Sequence, residues 1–235
     1  MRSKNTSLQG WDEQLESNQT YYRLLTQNEA DNKNSTATVQ RPVRATAFKK
    51  KLVNEVLSLI KFRRSLNVLD VGCGNGWLSY ELATALKGNG RVVGIDVNET
   101  AVNQAQQGLS TFKYNNVEFH ILNVTEIPYR DQFDYIICVN SFHHLNDKEK
   151  ALNKIKSALS PFGEVILIEY NGDSTFMKIL DASSKDHKGS IHFLKPRELL
   201  CALNSAGFKE SSVTLKRMYW IFSTMVGHAK KETTI

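Results

Sequence analysis

Val68-Leu69-Asp70-Val71-Gly72-Cys73-Gly74-Asn75-Gly76 decides the fold of this 235-residue chain. Three branched apolar residues around one acid predict a short buried strand, and glycines at alternate positions turn the chain out of it. Trp77, Leu78, Leu82 and Leu86 then fall at helical spacing, and Gly88-Asn89-Gly90 stops them. Strand, turn and helix repeat outward from there. Val92 to Asp96 reads as strand, Thr100 to Phe112 as helix, Val117 to Leu122 and Phe133 to Val139 as strands, Lys148 to Leu159 as helix, and Glu164 to Tyr170 as strand. Upstream, Leu52, Val53, Val56, Leu57 and Ile60 form the apolar side of a helix with lysines opposite. Downstream, Pro196 opens a helix that ends near Gly207. Ser211 to Leu215 and Met218 to Val226 close the chain as an antiparallel hairpin linked through Lys216 and Arg217. Alternation at this period predicts an α/β fold, a doubly wound and mostly parallel sheet with right-handed crossovers.

Composition sets bounds on function. With 41% hydrophobic and 23% charged residues the chain is an ordinary globular sequence, neither collagen-like nor a disulfide scaffold. Cys73, Cys138 and Cys201 are widely spaced and form no Cys-x-x-Cys pair, so neither a zinc site nor a redox dithiol is expected, and a reducing, cytoplasmic setting fits. The longest apolar stretch, near Met218 to Val226, is broken by Ser223 and Thr224, so no membrane span or export segment is expected. Residues 1–46 are rich in Asn, Gln, Ser and Thr around Trp11, Tyr21 and Tyr22, which suggests an N-terminal helical cap or lid before the α/β domain at 47–235. The net charge of +6 is local. Arg41, Arg44, Lys49, Lys50, Lys51, Lys61, Arg63 and Arg64 face one acid, Glu55, and the rest of the chain is close to neutral. Such a patch is a solvated helix face or a surface for an anionic partner.

The turn after the first strand carries the chemistry. Its spacing is G-x-G-x-G, and Trp77 stands where a dinucleotide fingerprint would place its third glycine for close helix packing. A carboxylate at Asp70 would repel a pyrophosphate and attract an ammonium group. Asp96 ends the next strand, 20 residues after Gly76, where an acid can accept both ribose hydroxyls. Together they describe a nucleoside with an amino-acid tail rather than NAD.

These segments, with FDYIICVNSFHHL (133–145) and LSPFGEVILIE (159–169), resemble the class I S-adenosylmethionine-dependent methyltransferases over roughly Leu66 to Val226. The resemblance implies a seven-stranded Rossmann-like sheet of order 3-2-1-4-5-7-6 with the seventh strand antiparallel. It implies S-adenosyl-L-methionine as cofactor, with Asp70, Gly72 and Gly74 lining the methionine part, Asp96 the ribose and Val97 the adenine. Asn123, with Val124 beside it, falls where relatives meet the adenine amine, mostly with an acid, and Asn140 follows the fourth strand.

The acceptor class is sought after that fourth strand. Prolines of the base-amine type and acids of the arginine or magnesium-dependent types are missing from Asn140 to Leu145, so the resemblance narrows to enzymes acting on O, N or C of a small molecule. No metal is expected. Adjacent His143 and His144 cannot converge on an ion, and no third ligand has matching spacing. For a hydroxyl acceptor the candidate catalytic residues are His143, His187 and His192. Nucleic acid is disfavoured as partner. Two alternatives stay open: an RNA-modifying enzyme using the basic patch at 41–64, and a regulatory module that binds S-adenosylmethionine without methylating anything.

Overall fold

In the strand β1 (Asn67–Val71) successive side chains face opposite sides of the sheet, and both sides are covered. A computed structural model of the chain describes residues 47–63, 65–175, 177–178, 193–217 and 223–231, all within the unit Arg41–Ile235. The strands are β1, β2 (Arg91–Asp96), β3 (Val117–Ile121), β4 (Phe133–Val139), β5 (Leu159–Tyr170), β6 (Lys209–Arg217) and β7 (Ser223–Lys230). They pair in the order β3-β2-β1-β4-β5-β7-β6, with β7 antiparallel to both neighbours and the other described pairs parallel, as the resemblance implies.

Alternation sorts the interior into two layers. Val68, Ile137 and Ile166 face α1 (Ala47–Leu59), α2 (Trp77–Ala85) and α3 (Glu99–Gly108), where Leu52, Val56, Leu78, Leu82 and Val102 are buried. Leu69, Ile136 and Leu167 face α4 (Lys148–Ala158) and α5 (Pro196–Ser205), where Leu152, Ile155 and Leu199 are buried. Helix starts are capped as the side chains dictate. Asn98 Oδ1 accepts from Ala101 N at 3.0 Å before α3, and Asp147 Oδ1 accepts from Lys150 N at 2.9 Å before α4.

The hairpin differs from the sequence reading. Lys216 and Arg217 are not its link but paired strand residues, in register with Thr224 and Ser223, and β7 runs on through Gly227 and His228 to Lys230. Gly227 reads as a breaker by propensity, yet its place on β7 is fixed by packing. A Cβ there would stand 3.0 Å from Leu199 Cδ2 of α5, so the close approach of helix to strand wants no side chain. β5 also begins earlier than expected, at Leu159, and the β4–β5 register shifts between Phe133 and Tyr135.

The parallel strands β1, β2, β4 and β5 end on one edge of the sheet, and the order reverses between β1 and β4. Ligands of open α/β sheets bind in the crevice at such a point. Gly72, Val97, Asn140 and Asn171 are the first residues beyond those four strand ends.

Candidate active site

The turn after β1 is held down from two sides. Gly72 N and Cys73 N both donate to Ile95 O of β2, at 2.8 and 3.0 Å, and Gly74 N donates to Asp96 Oδ2 at 2.8 Å. The other carboxylate oxygen of Asp96 accepts from Asn98 N at 2.9 Å, which fixes the acid against the turn. Gly72 and Gly74 have φ of +72° and +54°, in the left-handed region that glycine enters freely. Their surroundings differ. A Cβ on Gly72 would meet Ser141 Oγ at 1.9 Å, so this glycine lets the β1 and β4 turns touch, whereas a Cβ on Gly74 would find nothing within 4 Å. Gly74 therefore presents bare backbone to an open space.

The remaining expected cofactor residues surround this turn unevenly. Asp70 is 2% exposed and accepts from Ser79 Oγ at 2.6 Å. Burial pushes its carboxyl up to about 7, against the pull of the Ser79 hydrogen bond. Val97 is 66% exposed, an apolar side chain left uncovered beside Asp96. Asn123 spends its side-chain oxygen on Thr125 N and Thr125 Oγ1, both at 3.0 Å, so the oxygen offered to an adenine amine already has two donors. Val124 is buried in the layer beneath. Asn140 has φ of +51°, donates its backbone N–H to Ile168 O at 2.7 Å, and holds a buried Oδ1 with no hydrogen-bond partner. A buried acceptor without a donor is costly and calls for an explanation. At the edge of a ligand crevice, a donor carried by the ligand supplies one.

Next to Asn140 lies a group the sequence reading overlooked. Glu169, 1% exposed on β5, accepts from Ser141 N at 2.9 Å and Phe142 N at 2.6 Å, and its second oxygen lies 2.5 Å from His143 Nδ1. The signal was an acid near the end of the apolar run VILIE, where neither sheet face offers water. His143 is buried in a 3-10 turn, Phe142–His144, and its ring centroid lies 4.0 Å from that of His144 and 5.1 Å from that of Phe193. His144 is exposed, and partial burial of its ring, then the neighbouring His143, lowers its pKa. His187, His192 and the aromatic residues of the expected lid lie outside the described residues. Among the described residues no group of His, Cys, Asp and Glu could hold a metal ion.

A family model for a methyltransferase domain matches residues 62–223. The chain belongs to the methyltransferase-domain family. It is similar to a ubiquinone biosynthesis O-methyltransferase of Acinetobacter baylyi, 26% identical over 174 residues that span 66% of this chain and 70% of the relative. It is also similar to a ubiquinone/menaquinone biosynthesis C-methyltransferase of Rickettsia typhi, 30% identical over 45% of this chain and 44% of that one, so the chain spans less than half of this relative. The fold is shared with an S-adenosylmethionine-dependent methyltransferase of Aquifex aeolicus, with a TM-score of 0.59, 23% identity and coverage of 76% of this chain and 89% of that one. This methyltransferase is a class I enzyme whose cofactor is S-adenosyl-L-methionine. The residues present fit that group. A bare cradle at Gly74 admits close approach of a charged tail, the unpaired Asn140 oxygen awaits a donor such as an ammonium, and Asp96 with exposed Val97 offers an acceptor beside an apolar cover.

Proposed function

We propose that this methyltransferase acts on a small-molecule acceptor, at oxygen, nitrogen or carbon. The observation that carries the reading is the cluster of His143, His144, Tyr170 and Phe193 rings about the ends of β4 and β5, on the same edge as the Gly74 cradle. Rings of this kind suit a compact, partly apolar acceptor rather than a polyanion. When bound, S-adenosylmethionine supplies an electrophilic sulfonium methyl. The protein's part is then positioning, because a displacement needs its reacting atoms in line and little covalent help. In this reading Asp96 holds the ribose hydroxyls, Val97 covers the adenine, and Asp70, Gly72, Gly74 and Asn140 hold the methionine end. Asn123 and Val124 border the adenine, and His143, His187 and His192 are the candidates for proton transfer.

The basic segment supports no second reading. Lys49 Nζ sits 5.1 Å over the Trp77 ring, Lys61 is 3.9 Å from Glu164, and Arg63 is 2.5 Å from Asp134, so part of the excess charge is already met inside the domain. Nucleic acid therefore stays disfavoured as a partner. Among the described residues no helix is long and apolar enough to cross a membrane. Three cysteines free of disulfides, two of them buried, agree with work in the reducing cytoplasm.

Calorimetric titration with S-adenosylhomocysteine tests the site. Asp96→Ala should weaken binding by about 30- to 150-fold, the loss of charge-assisted hydrogen bonds worth about 2 to 3 kcal/mol. Unchanged affinity would mean that the ribose lies elsewhere.

A further inference from the structure

Glu169 stands where a charge is expensive. β4 and β7 pair with β5 on its two edges, and the side chain is 1% exposed. A carboxylate in such a place is retained only when bonded on every side. Its two oxygens divide the work. Oε1 takes the consecutive amides of Ser141 and Phe142 and so sets the turn, while Oε2 takes the His143 ring at 2.5 Å.

The ring contact fixes the chemistry of the imidazole. An ionised carboxylate only accepts, so the Nδ1 that faces it carries a proton, and in the neutral ring Nε2 is then the nitrogen with the lone pair. The His143 side chain is 6% exposed against 1% for Glu169, so of the pair the ring is the nearer to solvent. Around that ring stand His144 at 4.0 Å, Phe193 at 5.1 Å and Tyr170 at 6.4 Å between centroids. Other acceptors are served less well. Glu169 already has three donors and is 1% exposed, so little of it is left for an ammonium, and Lys148 Nζ is engaged by Leu145 O at 2.8 Å rather than held for a carboxylate.

We infer that the acceptor is a hydroxyl on a flat aromatic ring, that His143 Nε2 is its base, and that Glu169 is the positioning residue that fixes the tautomer and aim of His143. This rests on the methyl-transfer reading above. The acceptor oxygen bonds to the methyl carbon, the carbon–sulfur bond breaks with its electron pair going to sulfur, and the hydroxyl proton passes to Nε2. Glu169 stabilises the imidazolium so formed, and the proton leaves to water with the product.

A series of phenols of graded acidity separates this role from a structural one. With phenol itself, His143→Ala should lose about 10²- to 10⁴-fold in turnover, and Glu169→Gln a smaller factor in the same direction. With pentafluorophenol, ionised near neutral pH, both variants should come within about tenfold of the wild type, because no base is needed. Nitrogen-15 NMR of the imidazoles gives a readout apart from activity. The wild type should show His143 protonated at Nδ1, and Glu169→Gln should shift that tautomer balance. Equal losses across the phenols, or an unchanged His143 tautomer, would overturn the pair. Binding of S-adenosylhomocysteine with turnover of amines alone, or of no phenol, would overturn the acceptor class and leave the transferase standing. Failure of the wild type to bind S-adenosylhomocysteine would instead defeat the function itself.

Discussion

Gly72 and Gly74 share a left-handed backbone and differ in what surrounds them, so the same substitution should have separate consequences. Gly72→Ala places a methyl 1.9 Å from Ser141 Oγ and adds the φ cost, and should destabilise the fold by about 2 to 5 kcal/mol in urea denaturation. Gly74→Ala meets no neighbour and should cost only about 1 to 2 kcal/mol, yet its methyl fills the cradle and should weaken S-adenosylhomocysteine binding by more than about tenfold. Wild-type affinity in Gly74→Ala would remove the cradle from the site. Asp70 adds a pH dependence. Burial raises its carboxyl from the ordinary carboxylate range to about 7, so between roughly pH 4 and 7 the native state holds a proton that the unfolded state has lost. Its contribution to stability is therefore full at low pH, falls as pH rises through that window, and is flat above it. Asp70→Asn cannot ionise, and its stability relative to wild type should improve by an amount on the order of 2 to 4 kcal/mol between pH 5 and 8. Urea midpoints moving in parallel for both proteins would show that the Asp70 charge is met some other way.

At the scale of elements, the part of the fold read most directly from sequence is the part built by local rules. The β1 turn and α2 follow from glycine spacing and helical periodicity, and α1 to α5 start and stop near the residues their caps and apolar stripes predict. The hairpin escaped because tertiary packing overrules propensity there. Met218 to Val226 is the more apolar run, yet β7 is drawn toward Lys230, where His228 Nε2 lies 2.6 Å from Glu164 Oε2 on the neighbouring strand and Gly227 lies under α5. Gly227→Val tests this packing. The larger side chain should push against Leu199 and cost about 1 to 3 kcal/mol, whereas β-propensity alone predicts a gain. A stabilised variant would show that α5 yields at no cost. The candidate site divides the same way. Asp96 and the glycines were legible as a motif, but Glu169 reads as one acid at the end of a strand until β4 and β5 are paired and the amides of Ser141 and Phe142 point at it. Asn123 was legible as a polar residue after β3, while its bonds to Thr125 depend on a turn that no spacing announces.

At the scale of the molecule, the described core begins at Leu52, and every described cofactor-side residue lies at or beyond Asp70. The two buried layers of the described residues are made by the sheet and α1 to α5. A chain starting at Arg41 should therefore fold, with a urea midpoint equivalent to within about 0.5 kcal/mol of the full chain, and should bind S-adenosylhomocysteine as tightly. Turnover is the quantity expected to part company. We propose that residues 1–46, polar but carrying Trp11, Tyr21 and Tyr22, contribute to turnover of the acceptor. Loss of the segment should then raise KM for the acceptor and lower kcat, by about tenfold or more in kcat/KM, with cofactor affinity untouched. A chain starting at Arg41 with undiminished kcat/KM would show that the α/β domain alone carries the transfer.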